Sequence, residues 1–141
     1  MVAGDAHLAP FIAQQWRSRM EMTQPDASKN RFCKGSHEGM QQLIQAHVPI
    51  LAGTDAPLPG TTYGASLHSE LELLVREGLT PSQALAAATS LPAQSFRLND
   101  RGRIRPGVRA DLLLVEGDPT KNILATRNIV AVWKRGVRVH R

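Results

Sequence analysis

Asp55 closes the stretch Pro49-Ile50-Leu51-Ala52-Gly53-Thr54-Asp55-Ala56-Pro57 and is the first charged group in it. The pattern predicts a fully apolar strand over residues 48–52 that emerges at a threonine, a carboxylate and a proline turn. A carboxylate at the C-terminal end of a parallel strand stands where α/β folds place their sites. The strand behind it is rigid, and the loops beyond it open to solvent. Gly53 would let another group approach the backbone closely, and Pro57 and Pro59 would stiffen the exit loop. A plainer use of the same aspartate is to cap the turn before Pro57. Spacing alone leaves both readings open. The lone Cys33 cannot form an internal disulfide and has no second cysteine for a zinc knuckle, so a buried or idle thiol is expected.

The elements that must position Asp55 follow from periodicity. A helix is predicted over residues 9–22, then a polar loop through Pro25 and Gly35. Ser36 is a good N-cap for a second helix, which carries Met40, Leu43 and Ile44 on one face. That helix delivers the chain into the apolar strand after a few residues, which is the αβ half of a parallel α/β unit. Beyond the loop after Asp55, Leu67, Leu71, Leu74 and Val75 make one buried stripe on a helix over residues 66–77, and Gly78 stops it. Thr80-Pro81-Ser82-Gln83 reads as a capping box with proline in the first turn, and Ser90-Leu91-Pro92 restarts a short helix to about residue 98.

Past Asn99 the period falls to two. Strands are predicted at 102–104 and 110–115, with turns at Pro106-Gly107 and Gly117-Asp118-Pro119. Residues 129–133 and 137–140 form a hairpin turning at 134–136. The fold class is therefore α/β with a small antiparallel β region, the boundary lying near Asn99.

Composition limits the function. With 141 residues, 42% of them hydrophobic, and no apolar run of bilayer length, the chain has the bulk of one domain and no membrane span. The first residues have no basic segment and already carry Asp5, so no secretory signal is read and a cytoplasmic location is expected. Residues 1–96 hold six Lys/Arg against eight Asp/Glu, whereas residues 97–141 hold eleven against four. The basic residues of the second part alternate with Ile104, Val108, Val137 and Val139, as on the wet face of a sheet, and lack interleaved aromatics. Nucleic acid is not an expected partner.

Several motifs in order, "VPILAGTDAP", "LHSELELLVREGLTPSQALAAATSLPAQSFRL", "GRIRPGVRADLLLVEGDPTKNI" and "VAVWKRGVRV", resemble the C-terminal part of the metal-dependent amidohydrolases, nearest the imidazolonepropionase and Xaa-Pro dipeptidase branch. The resemblance runs from about Ser36 to Arg141. It implies a C-terminal fragment of a (β/α)8 TIM barrel plus strands of a composite β-sandwich: residues 1–98 as the barrel share and 99–141 as the sandwich share. It also implies that Asp55, as the aspartate ending the eighth strand, ligates a divalent metal, most readily zinc, and shuttles protons. Such an ion brings bound water towards neutral pKa, and a carboxylate beside it can take the proton and pass it to a leaving nitrogen. The substrate would be a small amide, cyclic amide or dipeptide.

His68, near the start of the helix after Asp55, is read as a substrate-side residue facing the same mouth, or as a helix-face histidine without a task. Tyr63 in the exit loop is a further substrate candidate. Asp111 is expected to pair with Arg109 or a backbone group rather than to ligate, and Glu70 and Glu72 to lie on a solvated or packing face. The chain departs from the family pattern where the other ligands belong. Its histidines, at 7, 37, 47, 68 and 140, contain no His-x-His pair, and a whole barrel takes about 250 residues. Two classes of function follow: a carbon–nitrogen hydrolase lacking its full metal site in this chain, or a non-catalytic remnant that pairs with other barrel strands. Open barrel edges make self-association an expectation of either.

Overall fold

Residues 8, 14, 31–58 and 60–140 are described in the computed structural model. The predicted helix over 9–22 lies outside them. The element order is α1 (Arg31–Gln45), α2 (Ala65–Arg76), α3 (Pro81–Ala88), α4 (Ser90–Ser95), β1 (Leu112–Val115), a 3-10 helix (Ile123–Arg127), β2 (Ile129–Lys134) and β3 (Val137–Arg138).

Helix α1 starts upstream of the expected cap at Ser36 and carries Gly35 inside it. A mid-helix glycine costs only about 1 kcal/mol, less than the continuing ladder of backbone bonds returns. Its middle is tied to the C-cap of α2: His37 Nδ1 meets Glu77 Oε2 at 2.5 Å, and the Gln41 amide donates to the Glu77 carbonyl. Of the predicted apolar face, Met40 packs against the core while Leu43 is exposed.

The apolar run 48–52 has no regular secondary structure and belongs to no sheet among the described residues. Its backbone bonds to helices run from Val48 N–H to the Leu43 carbonyl of α1, 3.0 Å, and from Ala52 N–H to the Ala87 carbonyl of α3, 2.9 Å. Ile50 and Ala52 pack on the core, whereas Val48 and Leu51 are exposed. The expectation of a strand covered on both faces is thus corrected. A β-ladder requires a neighbouring strand, and none of the described strands lies alongside.

Helix α2 matches its predicted span closely. Gly78, with φ of 110°, lets the chain close a Schellman motif in which Gly78 N–H bonds the Val75 carbonyl and Leu79 N–H the Leu74 carbonyl. Thr80 then opens α3 through a complete capping box: its hydroxyl accepts from Gln83 N–H at 3.2 Å, and the Gln83 side chain accepts from Thr80 N–H at 2.8 Å. The core forms where α2 crosses α3 and the 3-10 helix, with Leu71, Leu74, Ala84, Ala87 and Ile123 buried. Ala84 and Ala87 are fully enclosed, and their small side chains are what permit α2 and α3 to approach closely.

The β region is an antiparallel sheet in the order β1-β2-β3. Leu112 faces Trp133, with an irregularity between Leu114 and Val115, and Trp133 faces Arg138. The hairpin turns through Arg135 (φ 52°) and Gly136 (φ 79°), both left-handed, as a two-residue turn with the sheet's own twist requires. Three expectations are revised. Residues 102–103 form a bend and 104 has no regular structure, and Ile104 is 89% exposed, with no strand beside it among the described residues. The 3-10 helix was unanticipated: it lies between the turn read at 117–119 and the hairpin, and Asn122 starts it by accepting from Leu124 N–H at 3.1 Å. Nor does the sheet have one wet and one dry face, since the consecutive residues Leu113 and Leu114 are 47% and 48% exposed on opposite sides.

Candidate functional site

Asp55 stands three residues beyond the apolar run, exposed to solvent. Its backbone is left-handed (φ 51°), a conformation that aspartate tolerates better than most residues. The turn that follows is closed by the Asp55 carbonyl, which accepts from Leu58 N–H at 3.1 Å. The carboxylate takes no part in that turn, so the plainer capping use is made by the backbone instead. Among the described residues no hydrogen bond engages the Asp55 side chain.

Behind it, Gly53 N–H donates to Glu70 Oε1 of α2 at 3.5 Å. Burial pushes the Glu70 carboxyl up from its ordinary range, and the Gly53 N–H opposes that shift. The role of Glu70 was not legible from residue type, although a signal existed. It is spaced three residues from Leu67 and four from Leu74, on the flank of the buried stripe. Glu72, one turn away from open solvent, is clamped by two arginines: Arg76 Nη2 at 2.5 Å on its own helix and Arg127 Nη2 at 2.5 Å from the 3-10 helix. It joins the helical part to the β part.

Tyr63 and His68 come together at a cavity of about 370 Å³ between α2, α3 and the sheet, whose walls include Leu67, Leu85, Leu113 and Ile129. Tyr63 is 66% exposed at its rim and His68 is half-buried. Gly64 (φ 75°) makes the bend that starts α2 there, and Ser66 Oγ accepts from Thr62 N–H at 2.9 Å. Asp55 is not among the residues that line this cavity. Asp55 and His68 leave different ends of the 56–64 loop, and α2 turns the His68 face towards the sheet.

Asp111 sits as expected, in a structural role. Its carboxylate accepts from Arg135 N–H at 2.8 Å and pairs with Arg109 Nη2 at 2.6 Å. The Arg135 N–H, and then Arg109, hold its carboxyl below the usual aspartate range.

A divalent ion needs several donors converging on one point, three from protein in a catalytic zinc site. Among the described residues no three His, Cys, Asp or Glu side chains converge in that way. Asp55 is a single, solvent-facing carboxylate. The described residues do not by themselves make a metal centre. Nor, among the described residues, is any helix long and apolar enough to cross a membrane.

Comparison with known proteins places this geometry. The amidohydrolase family model matches residues 1–140. The imidazolonepropionase of Streptomyces griseus is 38% identical over 104 residues, covering 70% of this chain and 26% of that protein. An adenine deaminase of Lysinibacillus sphaericus is 39% identical over 74 residues, covering 52% of this chain and 12% of its own. Among solved structures, an Xaa-Pro dipeptidase with bound methionine in its active site superposes with a TM-score of 0.66 at 28% identity, over 74% of this chain and 25% of that one. Molinate hydrolase superposes with a TM-score of 0.64 at 29% identity, over 73% and 26%. The chain spans about a quarter of the length of the imidazolonepropionases it matches. With a family model matched from end to end and an α/β arrangement shared with solved members, the chain belongs to the amidohydrolase family.

Proposed function

We propose that the chain contributes to a hydrolase acting on carbon–nitrogen bonds, with Asp55 as its reactive carboxylate. The observation that carries this reading is the placement of Asp55: it follows the apolar run in a left-handed conformation, exposed, and among the described residues no hydrogen bond engages its side chain. A carboxylate so held can take a proton from an attacking water and return it to a departing nitrogen. Residues 1–98 are then the share of a (β/α)8 barrel around its eighth strand and 99–141 the share of a β-sandwich. The substrate is a small amide, cyclic amide or dipeptide, and Tyr63 and His68 are its contacts. Zinc or a similar ion would take Asp55 as one ligand, with the remaining donors coming from outside this chain. The place of action is the cytoplasm.

The isolated chain is expected to retain less than one tightly held zinc after dialysis and to leave N-acyl amino acids and dipeptides intact. One firmly bound ion per chain overturns the shared site. Where the remaining donors are supplied and hydrolysis is measurable, Asp55→Asn should lower kcat at least about a hundredfold, the usual weight of general acid–base catalysis. Unchanged kcat removes Asp55 from the chemistry.

A second reading, a non-catalytic module that pairs with other strands, draws on the exposed Val48 and Leu51 of the apolar run and on Leu113 and Leu114 of β1. Either reading has the isolated chain self-associating. A single monomeric species by light scattering together with a cooperative melt contradicts that.

A further inference from the structure

We propose that Glu70 is a positioning residue for Asp55, its carboxylate on α2 anchoring the backbone at Gly53. This rests on Asp55 being the reactive carboxylate, as argued above. The run that carries Asp55 is secured in front by Ala52 N–H on the Ala87 carbonyl, 2.9 Å, and behind by Leu58 N–H on the Asp55 carbonyl, 3.1 Å. Between them lie Gly53 and Thr54, and the contact from Gly53 N–H to Glu70 Oε1, 3.5 Å, ties that interval to a helix. Glycine has the widest backbone freedom of any residue, so an untethered Gly53 would let the exit swing. Packing does not restrain it: nothing lies within 4 Å of where a Cβ would stand.

The neighbouring acids sharpen the assignment. Glu72 holds two arginines and Glu77 holds His37. Glu70 is as enclosed as either, yet it faces a backbone N–H and, among the described residues, no cation. A carboxylate drawn out of water without a counter-charge is costly unless a donor meets it. The Gly53 N–H is the donor that meets it here.

The test is residue-resolved amide hydrogen exchange on the whole chain, for the parent, Glu70→Ala and Glu70→Gln. Gln retains an oxygen acceptor and Ala does not. In Glu70→Ala the Gly53 amide should exchange about tenfold faster, the loss of one modest hydrogen bond, while Ala52 and Leu74 keep their protection. In Glu70→Gln, Gly53 should return to within about threefold of the parent. Where hydrolysis is measurable, Glu70→Ala should depress kcat with little change in KM, and Gln should restore it. Unchanged Gly53 exchange in Glu70→Ala overturns the proposal. So does parallel acceleration of Gly53, Ala52 and Leu74, which would mark a packing role. The exchange measurement needs no turnover, so a failure of the hydrolase reading leaves it intact, and a failure here leaves the Asp55→Asn test unaffected.

Discussion

Asp55 follows an apolar run and Asp111 immediately precedes β1, and the two regions that hold them use these aspartates in opposite ways. In the helical region the acid carrying the candidate chemistry is left open, and its surroundings are fixed through backbone bonds and a packed core. In the β region the aspartates are paired: Asp111 with Arg109 and the Arg135 N–H, Asp100 with Arg101, Asp118 with Thr120 and Lys121. An acid that is already satisfied has nothing left to offer a substrate or a cation. The excess of basic residues past residue 97 is thereby partly spent on internal pairing, while the uncommitted carboxylate lies in the part with the acidic balance.

The strongest way to break that contrast is at the core the two regions share. Leu74 is 2% exposed and packs in one cluster with Ile123 of the 3-10 helix. Leu74→Ala should cost about 2–5 kcal/mol by urea denaturation, and both regions should melt together. Separate transitions would show that the regions are independently stable.

The seam comes next. A Cβ on Gly102 would meet Ala93 Cβ at 2.4 Å and the Thr89 carbonyl at 2.8 Å, at a φ of 84°. Gly102→Ala should destabilise by about 1–3 kcal/mol. If the melting temperature does not move, the β region is not seated on α4 in this way.

A smaller effect is expected at the bridge between Glu72 and Arg127, whose side chains are 22% and 19% exposed. Because the pair is enclosed but not dry, a double-mutant cycle should give a coupling of about 1 kcal/mol. A coupling indistinguishable from zero would reduce Glu72 to an ordinary partner of Arg76 on its own helix.

The finest distinction is the sign of the pH response. Burial raises the folded pKa of Glu70, so its contribution is complete below its unfolded value and is lost as pH climbs through the folded one. The Arg135 N–H and Arg109 lower the folded pKa of Asp111, so its contribution is present above its unfolded value and is lost as pH falls through the folded one. Side-chain carboxyl titrations followed by carbon NMR should move the two groups to opposite sides of their ordinary values, 4.5 for Glu70 and 3.8 for Asp111. Midpoints on the same side would erase the contrast.

Legibility in the sequence followed the range of the forces involved. Helix α2, the Gly78 stop, the Thr80 capping box and the Arg135-Gly136 hairpin depend on residues a few positions apart, and each was readable from spacing. Asp111 was readable as well, because its arginine lies two residues away. The expected strand at 102–104 and the two-sided covering of 48–52 were not delivered, since both require a partner from a distant part of the chain or beyond it.

For the candidate site, the residues themselves singled out Asp55, Tyr63 and His68, but not their separation. Local chemistry determined which residues begin and end the helices, where the hairpin turns, and which carboxylate closes the apolar run. Only tertiary packing decided that Tyr63 and His68 share a cavity which Asp55 does not line, that Glu72 reaches across to Arg127, and that Glu70 faces Gly53. Those outcomes depend on how α2 lies against segments 17 to 55 residues away, and no periodicity encodes the angle at which two packed elements meet.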